Sequence, residues 1–274
     1  MVGIAQHYAN ASAVTRQEDY SNSARYAIYY APHSKSAWWR FGCAWLGRDP
    51  LTNATVARDV PPALAAHAID VDYQTRITAA PRRYGFHATL KAPFRLRAGY
   101  TAHDVYFRAG NLSQSLIAAA LPPVRLCILD GFVALSFPRE GMAGAATTHL
   151  PAVNALAAQC VFAFDNLRAH PDAKEQARRH IASLSPRQAN LLAEWGYPYV
   201  FQEFRFHMTL TNHLPPSEQQ LIIDALAPAV AELNAQPLRL DALSVYHQKA
   251  PDAPFVVMRR YGFDGTVEIY RDDA

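Results

Sequence analysis

Two short runs in this chain place a histidine and a threonine at the same offsets, YGFHATLK at 84–91 and FRFHMTLT at 204–211. Imidazole is the side chain whose ordinary pKa lets it take or give a proton near neutrality. A hydroxyl beside it can hold a phosphate oxygen. A strand sends successive side chains to opposite faces, so residues two apart point the same way. In the first run Tyr84, Phe86, Ala88 and Leu90 then face inward, while His87, Thr89 and Lys91 face outward together. In the second, Phe204, Phe206, Met208 and Leu210 form the apolar face, and Arg205, His207, Thr209 and Thr211 the polar one. With 11 histidines in 274 residues, chance alone supplies about half of one His-x-Thr tripeptide. Two copies in matching Phe-His-x-Thr-Leu contexts are a pattern.

The chemistry that suits these groups is cleavage of a phosphate ester. One neutral histidine takes a proton from the attacking oxygen and one protonated histidine gives a proton to the leaving one. His87 and His207 can share that work from opposite sides of a phosphorus atom. Thr89 and Thr209, with Lys91 and Arg205, can hold the non-bridging oxygens and offset charge in the transition state. Such a reaction needs neither metal nor cofactor. Neither motif has paired carboxylates or a cysteine set with ligand spacing nearby, which disfavours a metallohydrolase. Tyr29 and Tyr246 lie on expected strands and are candidates for stacking on a base or sugar in the cleft.

The elements that must position these groups follow from patterning. RYAIYYA at 25–31 is β-prone and closed by Pro32. The WWRFGCAWLG stretch after it is either a loop or a short helix on a sheet edge. A strand is expected from Tyr84, limited by Pro93, then a helix from Thr101 to about Leu121. Two strands over 124–129 and 132–137 follow, joined by Asp130-Gly131, a hairpin signal. Residues 150–196 read as helical. The second motif strand runs from Phe204 to Asn212, then a helix from Ser217 to about Asn234 and strands over 238–246 and 255–261. Both halves share the order motif strand, helix, strand, strand, which implies a duplicated unit with a helical insertion between the copies.

Composition supports a folded chain: half the residues are hydrophobic and 18% are charged. Three scattered cysteines without a CxxC pair suit a reducing compartment. No apolar run approaches the length needed to cross a bilayer, so a cytoplasmic protein without membrane partners is expected. Residues 1–24 read as a disordered extension and 25–274 as a single domain. The net charge of +3 is too mild to argue for nucleic acid by itself. A basic cluster (Lys174, Arg178, Arg179, His180 and Arg187) could nevertheless guide RNA.

The paired motifs resemble those of the two-histidine phosphoesterase superfamily. More narrowly, RYAIYYAP, WWRFGCAWLGRDP and RRYGFHATLKAPFRL are similar to the branch known as phosphonate metabolism protein, over most of residues 25–263. The resemblance implies an α+β, bilobal, pseudo-two-fold fold of two antiparallel sheets flanked by helices, with the motif strands facing each other across a cleft. It implies that His87 and His207 are the acid–base pair and that Thr89 and Thr209 bind phosphate. The expected activity is a phosphoric ester hydrolase of the cyclic phosphodiesterase type, acting on a small phosphorylated ribose or nucleotide in phosphonate catabolism. The alternative is an RNA-end-binding protein, or an RNA 2′,3′-cyclic-phosphate-processing enzyme, using the same cleft.

Overall fold

The computed structural model describes residues 23–58, 60–61, 65, 69–138, 151–170 and 184–272. The extension expected over 1–24 therefore lies outside the described residues except for 23 and 24, as does the basic cluster of the insertion except for Arg187. Ten strands are described: β1 (Arg25–Tyr30), β2 (Ala88–Phe94), β3 (Ala119–Ala120), β4 (Arg125–Leu129), β5 (Phe132–Ser136), β6 (His207–His213), β7 (Arg239–Leu240), β8 (Ala242–Gln248), β9 (Val256–Gly262) and β10 (Val267–Ile269). Seven α-helices accompany them: α1 (Ala37–Leu46), α2 (Val71–Ile77), α3 (Ala79–Tyr84), α4 (Ala102–Gln114), α5 (Pro151–Asp165), α6 (Pro186–Trp195) and α7 (Pro216–Leu233).

Local chemistry sets most of these boundaries. α1 starts where the Ser36 side chain accepts from Trp39 N–H, and stops at Gly47, whose φ of 71° is left-handed. It buries Trp38 and Trp45, which settles the WWRFGCAWLG stretch as a helix. α4 opens on a reciprocal Thr101–Asp104 cap. Asp130 and Gly131, at φ 45° and 89°, form the tight turn between β4 and β5. The expected strand start at Tyr84 is wrong. Tyr84 ends helix α3, the chain turns at Gly85 (φ 82°), and β2 begins only at Ala88.

Eight strands form one antiparallel sheet in the order β10-β9-β8-β1-β2-β6-β5-β4, and β3 pairs with β7 apart from it. The two sheets expected from the resemblance are thus joined, and the joint is the pair of motif strands. β2 meets β6 at a single registered pair, Ala88 with Met208. Each motif strand is followed by a helix and a hairpin, but the hairpins are exchanged. The β4–β5 hairpin that follows β2 pairs with β6, while β8 and β9, which follow β6, lie on the β2 side through β1. The helices cross over with them, α4 packing on β8 and β9 and α7 on β4 and β5.

The inward sides of both motif strands are core, with Phe86, Ala88, Leu90, Phe206, Met208 and Leu210 all buried. A side chain at Gly42 of α1 would meet the Phe86 ring at 2.0 Å, so glycine there lets the helix close on the residue before His87. Trp45 Nε1 donates to Leu210 O at 2.9 Å and fastens the same helix to β6. Among the described residues, no helix is long and apolar enough to cross a membrane.

Candidate functional site

Antiparallel register at Ala88–Met208 puts His87 across from Thr209 and Thr89 across from His207. All four side chains then share one face, with the two histidines at diagonal positions, whose backbone spacing is roughly 7–8 Å. The arrangement is reciprocal, each histidine sitting opposite the other motif's threonine.

Both rings are held in the same way. His87 Nδ1 lies 2.8 Å from Gly85 O, and His207 Nδ1 lies 2.8 Å from Arg205 O, in each case the carbonyl two residues earlier. A carbonyl only accepts, so Nδ1 carries the proton and Nε2 is left towards the cleft. His87 Nε2 is 3.3 Å from Thr89 Oγ1. Gly85 earns its type: its φ of 82° suits glycine, and a Cβ would strike the Pro50 ring at 2.7 Å. Arg48 steadies this turn by donating from Nε to Arg82 O at 2.8 Å and from Nη2 to Arg83 O at 3.0 Å.

His87 stacks on Tyr29 at 3.8 Å between ring centroids, with Tyr246 behind at 6.2 Å. Enclosure among these rings lowers the His87 pKa to about 4, against the opposing pull of the Gly85 hydrogen bond. Charge on His207 and Arg48 lowers it further. His87 is therefore neutral at neutral pH.

Not every expected residue reaches this face. Thr89 lies opposite Tyr29, but Lys91 lies opposite Ile28, because a β-bulge intervenes at Leu90. The bulge turns Lys91 into the core, where it is 3% exposed and Nζ donates to Asp165 Oδ1 at 2.8 Å. β6 has an irregularity in its pairing with β5 beyond Thr209, and Thr211 is likewise buried. Arg205 stays exposed at the rim. Tyr246 is fully buried beneath the stack, with its hydroxyl unpaired, so it supports the site from behind. Arg187 is exposed and lies 3.7 Å from Glu203 Oε1.

Two adjoining cavities open on the face. A polar one of about 400 Å³ is lined by Arg25, Tyr29, Tyr84, His87, Thr89 and Thr209, with Tyr197 beside them. A smaller one of about 120 Å³ has His207 and Arg205 in its lining and is largely apolar. Thr89, Ala92 and Tyr197 line both. Sequence reasoning missed Arg25 and Tyr197. Arg25 shares its strand parity with Tyr29, a signal present in RYAIYY, and its Nε donates to Gln248 Oε1 at 2.7 Å. Tyr197 had no such signal. It is carried in from the insertion by Gly196, the left-handed cap of α6.

Fold and site together define an α+β protein with a histidine–threonine cleft at the central seam of one antiparallel sheet. The chain belongs to the family described as protein of unknown function (DUF1045), whose model matches residues 89–256. Among curated proteins it is similar to a ribose 1,5-bisphosphate phosphokinase PhnN of Janthinobacterium sp. (strain Marseille). That relative is 37% identical over 248 residues, 89% of this chain and 52% of the relative. A protein of the same name from Laribacter hongkongensis is 37% identical over 190 residues, 69% of this chain and 40% of the relative. The chain thus spans about half the length of the curated relatives it matches, or less. These names correct the expected activity. The relatives are called phosphokinases, which transfer a phosphoryl group, so both the phosphoric ester hydrolase and its RNA-processing alternative are withdrawn.

Proposed function

We propose that the cleft binds a small phosphorylated ribose and presents it for phosphoryl transfer, with His87 and His207 as the proton-handling pair of a two-histidine arrangement. The observation that carries this is the reciprocal register at Ala88–Met208, which gathers two imidazoles and two hydroxyls on one face beside Arg25. Thr89, Thr209 and Arg25 suit the oxygens of a sugar phosphate. The names of the relatives point to the same ligand class, and the resemblance to a phosphonate metabolism branch is compatible with it. The chain carries no G-x-x-x-x-G-K-[ST] run, and we give the cleft no part in holding a nucleoside triphosphate.

His87 Nε2, unprotonated at neutral pH, is the group placed to accept a proton from a hydroxyl of the bound sugar phosphate. Calorimetric titration with ribose 5-phosphate and ribose 1,5-bisphosphate tests the site. Saturable binding to the wild type, weakened at least tenfold in Thr209→Val and His87→Gln, is expected. Absence of binding, or equal affinity in both variants, would count against it.

A further inference from the structure

The smaller cavity is not needed to hold a phosphate. It lies between β2, the β4–β5 turn, helix α5 and the segment 197–205, and much of its wall is Leu129, Phe132, Ala157, Val161, Tyr199 and Phe201. Its wall is assembled rather than incidental. Phe201 sits at φ 53°, a conformation that costs a bulky residue energy. Its ring packs 5.0 Å from both Phe162 and Trp195. Phe132 bridges the cavity to the catalytic face, its ring 5.8 Å from that of His207. A volume of about 120 Å³ is of the same order as the roughly 150 Å³ of a closed cavity known to take benzene. Because this cavity opens onto the site, it has room for one six-membered ring but not for a fused pair. Aromatic walls favour a flat ligand by stacking or edge contact, and Asp130, Glu203 and Arg205 at the boundary supply polar groups for its edges.

We propose that this cavity takes a planar single-ring group carried on C1 of the ribose, so that the preferred ligand is a pyrimidine nucleoside monophosphate with its phosphate between the histidines. The inference rests on the phosphorylated-ribose reading above and adds the ring. Because the cavities meet at Thr89 and Tyr197, ribose can span the junction.

Calorimetry with ribose 5-phosphate and uridine 5′-monophosphate separates the two claims. The wild type is expected to bind the uridine nucleotide at least tenfold more tightly. That ratio is expected to fall towards one in Ala157→Leu, which fills the cavity, and in Tyr199→Ala, which removes an exposed part of its wall. Thermal melts of both variants show whether each is folded, and Tyr199→Ala keeps the test available if Ala157→Leu is not. Equal affinities in the wild type, or a ratio preserved in the folded variants, would overturn the ring site and leave the sugar-phosphate reading standing. Failure of both ligands to bind would overturn both.

Discussion

Under the proposed function His87 must arrive without a proton, and burial against Tyr29 favours that form by lowering its pKa from 6.5 to about 4. The consequence for stability has a definite sign. Between about pH 6.5 and 4 the unfolded chain binds this proton more readily than the folded one, so stability falls with acid across that window. In His87→Gln the dependence is expected to be shallower there, as read from denaturant midpoints at a series of pH values. An unchanged slope would place the acid sensitivity elsewhere. At this scale the sequence was informative wherever plain alternation holds. Parity alone put His87 with Thr89 and His207 with Thr209. It failed at Lys91, because one extra residue in β2 reverses the side to which the chain points.

The elements show what the bulge achieves. Lys91, withdrawn from the cleft, joins Asp165 at the end of α5, and Arg168 donates from Nε to the same carboxylate oxygen at 2.9 Å. Arg168 Nη2 donates to Glu194 O at 2.8 Å, near the end of α6. This chain of contacts ties the motif strand through α5 to the end of α6, two residues before Tyr197. Asp165→Asn removes the counter-charge from a buried lysine and is expected to cost about 3 kcal/mol in denaturant unfolding. Lys91→Met in the same background should recover part of that loss, and a double-mutant cycle showing no coupling would contradict the network. Gly42→Ala forces Phe86 aside and is expected to cost about 1–3 kcal/mol, with weaker sugar-phosphate binding because His87 follows Phe86. Helix and strand order was legible from caps and the Asp130-Gly131 turn. The start of β2 was not, since nothing local distinguishes Tyr84 ending a helix from Tyr84 opening a strand.

For the whole molecule, the duplicated pattern was visible but its consequence was not. Patterning gives each half a motif strand, a helix and a hairpin, and says nothing about which hairpin pairs with which motif strand. The structure exchanges them, so the seam between the halves is also where the candidate site lies. The motif says less about activity than about position. Two histidines and two hydroxyls on one face fit proton transfer in hydrolysis and in phosphoryl transfer alike, and the relatives that bear a phosphokinase name are matched over about half their length or less.

The most direct test of the central claim is NMR of the 11 histidine rings in the wild type during titration with ribose 1,5-bisphosphate. The His87 and His207 ring signals, assigned by single substitution, are expected to move together to one saturation point. An anion beside the ring favours the imidazolium, so the His87 pKa is expected to rise from about 4 in the bound state. Signals at both rings that stay fixed while the sugar bisphosphate saturates, or a ligand that never binds, would contradict the account.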